Sequence, residues 1–350
     1  MRKRTSFANW NELEASFRGL GGELHNVTMR QSNGSRGLFA IDPSRPVRIH
    51  IPDEILVRIE DIQSDMDALT IKPGASYSDQ ARDFFERYHG FTSWAGGGRE
   101  SAEKFLKGLY RLPPPIKQVL TEEFAVAKLD ILPGEPEILT QFIDSRAIRK
   151  KGQRVLMPVL ELVNHAPWGL SYGTEMAGIT LEGMTKSEVF ARYSINDTWK
   201  KFLTYGFVSP ERFAFSQTFS AEPKNGAKPI NLRAAASERK SLPDGLISPL
   251  VSAKDGRIDI SFLLLGDRKN PANPAAVFRQ NVKPHLDANA EEFFETVLFM
   301  NRLKFFKLLQ TAEGHSGEMV EKLRQAARLQ LEALAACWVG AWSTEKSALV

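Results

Sequence analysis

The stretch VLELVNHAPWG, residues 159–169, ends an apolar run on two strongly polar side chains, Asn164 and His165. An amide both donates and accepts, and an imidazole adds a second donor or acceptor, so the pair can meet a ligand carrying groups of both kinds. A plainer job suits the same residues. A short helix starting at Pro158 and running to about Asn164 would use that amide to bond its exposed carbonyls before the turn at Ala166 and Pro167. Other residues with chemical reach stand apart in the chain. Arg146 opens a basic cluster with Arg149, Lys150, Lys151 and Arg154, which reads as a solvated face or a binding rim. His25, His50, His89, His165, His285 and His315 show no metal-ligand spacing. Cys337 is the one cysteine, which excludes an internal disulfide and a cysteine zinc cluster.

These groups need elements to hold them. Trp10, Leu13, Phe17 and Leu20 recur at helical spacing, so residues 9–20 predict a helix, stopped by Gly21 and Gly22. HNVTMR and VRIHIP alternate as strands do, and QSNGSRGLFA between them is a glycine turn entering a third strand. RDFFERY and AEKFLKGLY look helical, AGGG at 95–98 reads as a flexible break, and LPPPIK is a rigid turn. Residues of about 60–145 thus form a helical insertion between two β-rich parts. MAGITLEG and SEVFARYS predict two strands joined at Gly183, the second ending in Tyr193. NDTWKKFLTYGF predicts a helix capped by Asn196 or Asp197, with Trp199, Phe202 and Leu203 on one face and Gly206 as its stop. Composition shifts after Pro210. Residues 211–285 are mixed, with loops rich in Pro, Gly, Asn and Lys; 287–310 and 317–342 predict a hairpin of long helices. Phe293, Phe294, Val297 and Leu298 form the apolar face of the first helix, and Met319, Val320, Leu323 and Ala327 that of the second.

With 350 residues, 42% hydrophobic and 25% charged, the chain can bury a substantial core as one large domain or two. A net charge of +4 is small for this length, and no recognition motif accompanies it, so nucleic acid is not the expected partner. No apolar run approaches the roughly 20 residues that span a bilayer. The first residues, MRKRTSFANWNELEASF, carry basic groups but no apolar signal core. A soluble protein of a reducing compartment is expected, the cytoplasm before the nucleus.

In order along the chain stand a glycine turn GSRGLFA, the apolar run ending in NH, a strand ending in Tyr193, and a helix ending in YGF. This order resembles the SET-domain methyltransferases, and within them the branch of the Rubisco large-subunit lysine methyltransferase and the actin histidine methyltransferase. The likeness covers residues 10–210 well and 211–350 loosely. It implies an α+β fold: a SET domain of short strands over 1–210 with the helical insertion inside it. A mostly α-helical C-terminal domain over 211–350 would bind the substrate. The branch lacks cysteine zinc clusters, in keeping with a single cysteine.

The resemblance also implies roles. Gly34, Ser35 and Arg36 fall where the family contacts S-adenosylmethionine, Arg146 where an arginine reaches that cofactor, and Asn164 and His165 on the pair that holds it. Tyr193 matches the catalytic tyrosine beside the transferred methyl group. Tyr205 matches the tyrosine lining the target channel, and Glu161 a carboxylate on the substrate side that is usually aspartate. Arg36 replaces a commonly apolar residue. Ser194 follows Tyr193 where glycine is usual, and its Cβ would strain a backbone at positive φ. The implied activity is methyl transfer from S-adenosylmethionine to a side-chain nitrogen of another protein, lysine favoured over histidine, with no metal and no membrane involved. The alternative is a catalytically inactive SET-like protein-binding module.

Overall fold

The computed structural model describes residues 9–340 except 33–34, 66–67, 128, 175–176, 222–227, 234–238, 242–245, 255 and 287–289. The chain divides into two units, Met1–Lys107 with Leu132–Ser194 and Gly108–Ile131 with Ile195–Val350. Each mixes helices with small sheets, so the α+β class holds. The expected boundary at 210 lies inside the second unit, which also takes residues 108–131 of the expected insertion.

The first unit opens with α1 (Trp10–Gly19), where the Asn9 side chain accepts the Glu12 N–H at 3.1 Å and Leu13 and Phe17 turn inward. Glu23–His25, Val47–Pro52, Gly178–Gly183 and Tyr172–Gly173 follow one another in an antiparallel sheet. Its alternation is the one read from the sequence. Val47, Ile49 and Ile51 are buried, and the buried Leu181 and Ile179 stand opposite Ile49 and Ile51. Val27–Ser32 and Ser35–Ala40 pair as an antiparallel hairpin with Leu38 buried.

The insertion is not helical from its start. Ile62–Asp65 pairs antiparallel with Ala68–Ile71, where buried Ile62, Leu69 and Ile71 suit a pleated surface. Helices follow: α2 (Asp79–Phe91), α3 (Arg99–Tyr110), α4 (Pro114–Phe124) and α5 (Glu135–Asp144). The Ser78 hydroxyl caps α2 by accepting the Ala81 N–H at 3.1 Å. Phe85, Trp94 and Phe142 pack with Leu69 and Ile71 in one apolar cluster.

The expected helix ending at Asn164 does not form. Val159 sits at φ +72°, a costly conformation for a β-branched residue, and only a single 3-10 turn, Leu160–Leu162, follows. Asn164 begins a strand, Asn164–Leu170, that runs parallel to Phe190–Ala191. A short run that is apolar on every side has no period to separate turn, helix and strand. Ala191 pairs first with His165 and, after an irregularity, with Leu170. Gly169 makes that return path fit, because a Cβ there would stand 2.5 Å from the Ala191 carbonyl carbon. The Phe190–Ala191 strand stops two residues short of Tyr193, which therefore does not end it.

In the second unit α6 (Thr198–Tyr205) has the expected cap and stop. Asp197, not Asn196, accepts the Lys200 N–H at 2.7 Å, and Gly206 turns left-handed at φ +76°. Within residues 213–267, read from the sequence as mixed, the described elements are strands, and the helical part of this half follows them. Phe213–Phe215 pairs with Leu264–Asp267; Phe219–Ala221, Ile230–Leu232, Arg257–Ile260 and Val251–Lys254 make a four-stranded sheet. Helices return as α7 (Asn273–Asn281), α8 (Ala290–Ala312) and α9 (Glu318–Gly340). Phe294, Val297 and Leu298 of α8 are buried with Val320, Leu323 and Ala327 of α9, and Phe293 is half-buried. Trp199, Phe124 and Phe305 meet ring to ring at 4.6–5.4 Å. Among the described residues no helix is long and apolar enough to cross a membrane, and no group of three or more His, Cys, Asp or Glu could hold a metal ion.

Candidate functional site

The first unit carries a cavity of about 390 Å³, a size that suits a small-molecule ligand. Four residues expected at the site line it: Arg36 from the hairpin, Arg146 after α5, Glu161 from the 3-10 turn, and Asn164 from the first strand position beyond it. The link between α2 and α3 also lines it, with Thr92, Ser93 and Gly96–Gly98, and so does Ser101 from the first turn of α3. Gly34 lies outside the described residues, and the Ser35 side chain does too.

Three of the lining side chains, Arg36, Arg146 and Asn164, are held by their neighbours. Arg36 Nη1 donates to the Phe91 carbonyl at 2.8 Å, with the guanidinium 5.3 Å from the Phe91 ring. Arg146 Nη1 donates to Ser145 Oγ at 2.7 Å, and its guanidinium lies 4.2 Å from the Phe142 ring centre. Asn164 Nδ2 donates to Glu188 Oε1 at 2.6 Å and reaches the Arg36 carbonyl at 3.5 Å, a distance of 128 residues along the chain. Gly37 permits this, because a Cβ there would stand 2.7 Å from Glu188 Oε1.

Glu161 is the unusual member. Its side chain is 2% exposed, and neither carboxylate oxygen meets strict hydrogen-bond geometry among the described residues, although the Ser93 and Tyr88 hydroxyls lie close enough to favour its ionised form. Arg146 Nε stands 4.0 Å from one oxygen and His89 Nδ1 3.9 Å from the other. Burial pushes the Glu161 carboxyl above its ordinary value, and the Arg146 charge opposes the shift. Burial, reinforced by Arg146, holds the His89 imidazole down to about 3, so the ring is neutral and its contact with Glu161 is no ion pair. Both His89 nitrogens are likewise buried without hydrogen-bond partners among the described residues, and the buried Tyr88 and Ser93 hydroxyls face Glu161 without strict hydrogen-bond geometry. Such a concentration of polar atoms short of full pairing is uncommon in a folded interior.

His165 and Tyr193 belong together, but not to this lining. Their rings stand 5.2 Å apart, and the Tyr193 hydroxyl donates to the Val163 carbonyl at 2.6 Å. His165 Nδ1 either donates to the Ala191 carbonyl at 3.2 Å or accepts the Tyr193 N–H at 3.4 Å, according to its tautomer. Ser194 does not have positive φ, so its Cβ strains nothing. Tyr205 belongs to the second unit, where its ring stacks on Phe207 at 5.6 Å.

The glycine run at 95–98, a flexible break by composition, is a shaped wall. Gly97 has φ +108°, and a Cβ on Gly98 would stand 2.7 Å from both the Phe142 ring and the Ser93 carbonyl oxygen. Three adjacent glycines between two helical patterns are a sequence signal for close backbone approach. His89 and Ser93 carry no such signal, because only the fold brings them to Glu161. The wall offers guanidinium, amide and hydroxyl groups to an organic ligand. The chain matches no protein-family model and no curated protein sequence.

Proposed function

We propose that this chain is an S-adenosylmethionine-dependent protein N-methyltransferase of the SET type, acting on a side-chain nitrogen, lysine before histidine. The observation that carries the reading is convergence. Arg36, Arg146, Glu161 and Asn164, expected at one site from motif order, line one cavity although they come from three separate stretches of the chain. The donor set fits the cofactor. Guanidinium groups suit its carboxylate, the Asn164 amide suits its ammonium-carboxylate end, and Gly96–Gly98 leave room beside them. When bound, S-adenosylmethionine supplies the electrophilic methyl group. The protein's part is positioning, because holding two reactants in line removes much of the entropic barrier. A lysine target must first lose a proton, at a cost of about 4 kcal/mol near pH 7.4, which an apolar channel lowers by disfavouring the charged amine. Tyr193 would stand beside the transferred methyl, Tyr205 along the target channel, and residues 211–350 would dock the protein substrate.

One observation favours a second reading, a module that binds the cofactor without transferring methyl. The Tyr193 hydroxyl is engaged with the Val163 carbonyl, and the residue is absent from the cavity lining. Incubating cell extract with the protein and methyl-labelled S-adenosylmethionine tests the proposal. Label in protein, recovered on hydrolysis as methyllysine, supports it; methylhistidine changes the target. Tight binding with no transfer to any protein supports the module instead.

A further inference from the structure

Helix α8 is apolar on two opposite faces. Phe294, Val297, Leu298, Phe305 and Leu308 are buried on one of them. On the other, Phe299, Leu303 and Phe306 follow one another at spacings of four and three residues, so they form one stripe, with Met300 beside it. Phe299 is 53% exposed, Phe306 50%, Leu303 43% and Met300 37%. Among the described residues, every other large apolar side chain as exposed as these lies outside the helices. A helix that is hydrophobic all round is normally covered all round.

The stripe leaves on the order of 400 Å² of apolar surface in water, near the largest patch that a monomer usually shows. Pairing it with an equal stripe removes about 800 Å², and the polar side chains at its rim bring the total to roughly 1,200 Å², where specific protein interfaces begin. The charges along the helix say which surface fits. Glu292 and Glu295 are exposed at the N-terminal end of this face, and neither forms an ion pair among the described residues. Arg302 and Lys307 lie toward the other end. Arg302 flanks the stripe with its guanidinium 6.0 Å from the Phe306 ring centre, and Lys307 is half-exposed while it meets Glu123 of α4 at 2.7 Å. A surface that is acidic at one end and basic at the other is complementary to itself turned end for end. Glu295 and Arg302 are seven residues apart, so they share one edge of the helix. A two-fold axis across the middle of the stripe sets that edge against its own copy running the other way, and the two helix dipoles then oppose each other as well.

We propose that the outer face of α8 is the two-fold interface of a homodimer, with the two stripes packed antiparallel and Glu295 beside Arg302 of the partner subunit. An interface at the lower end of the specific range makes a dimer that forms with rising concentration and not a permanent one. The dimer is independent of the methyltransferase reading.

The test is sedimentation equilibrium of the full chain between about 1 and 200 µM. The wild type is expected to pass from the monomer mass of 39.2 kDa toward twice that value as concentration rises. Leu303→Glu sets a charge in the middle of the stripe, and Phe299→Gln removes one of its rings; both positions are exposed, and circular dichroism checks that each variant is folded. Each is expected to weaken dimerisation roughly tenfold or more, because a two-fold interface feels every substitution twice. Glu295→Arg is expected to weaken it too, and adding Arg302→Glu to restore it. A wild type that stays monomeric over the whole range overturns the proposal, and so does a dimer that survives in both folded stripe variants. A double exchange that associates no better than Glu295→Arg alone overturns the antiparallel arrangement. If the wild type is monomeric and Leu303→Glu instead raises the KM for methylation of a protein substrate, the stripe serves that substrate and the dimer falls.

Discussion

Tyr193 and the buried His89–Glu161 pair make opposite demands on their surroundings. Tyr193 is held at both ends of its ring region, through its hydroxyl on Val163 and its packing against His165. In Tyr193→Phe the ring still packs, so the fold is expected to survive while transfer slows by on the order of a hundred- to a thousandfold. Single-turnover rates with matched cofactor titrations measure this, and an equal rate removes the hydroxyl from the mechanism. His89 is instead tuned to stay neutral. A group whose folded pKa is depressed stabilises the fold above its unfolded value and loses that contribution as pH falls through the folded value. For His89 the window runs from 6.5 down to about 3, at up to about 1.4 kcal/mol per pH unit. Three aromatic rings surround it, so His89→Phe fits the site and is expected to flatten the fall in melting temperature across that window. Glu161 acts in the reverse sense. With its folded pKa raised, its contribution is fully present below about 4.5 and is lost as pH rises through the folded value. Glu161→Gln is therefore expected to gain stability at neutral pH relative to acid. A melting-temperature difference between Glu161→Gln and wild type that does not change with pH would show that Glu161 titrates the same in both states.

Elements with their own punctuation were legible. Asp197 and Gly206 bracket α6, and alternation at Val47, Ile49 and Ile51 marks a strand facing the core. Elements defined by distant partners were not. The run at 159–163 is apolar on every side, and only the positive φ of Val159 decides that it turns rather than coils. The strands within 213–267 are short, so each has too few residues to show a period. The candidate site divides in the same way. Motif order marked Arg36, Arg146, Glu161 and Asn164, whereas Ser93 and His89 come to the site only through packing. The return of the chain past Ala191 is a test of that packing. Gly169→Ala sets a methyl group against backbone at 2.5 Å, where little can yield. A loss of roughly 1–3 kcal/mol is expected in denaturant unfolding, and a neutral substitution would mean that this crossing is looser than described.

At the scale of the molecule, the two units invite separate perturbation. If residues 211–350 dock the protein substrate, charge changes on the exposed face of α9 should weaken substrate methylation and leave cofactor affinity alone. Arg328→Glu and Glu318→Lys are exposed positions for this, away from the buried Val320, Leu323 and Ala327. Comparing the methylation KM with the cofactor Kd reads the outcome, and equal loss in both would mean that the units act as one cooperative body. The central claim is narrower: the cavity of the first unit holds S-adenosylmethionine, with Asn164 among its contacts. Calorimetric titration of the cofactor into wild type and Asn164→Ala tests it most directly. Alanine deprives Glu188 of its 2.6 Å amide partner and the ligand of a donor and acceptor, at about 1–3 kcal/mol. The account predicts saturable binding by the wild type and a five- to hundredfold weaker Kd, roughly that free energy, in the folded variant. No binding by the wild type, or equal binding by a folded Asn164→Ala, would contradict it.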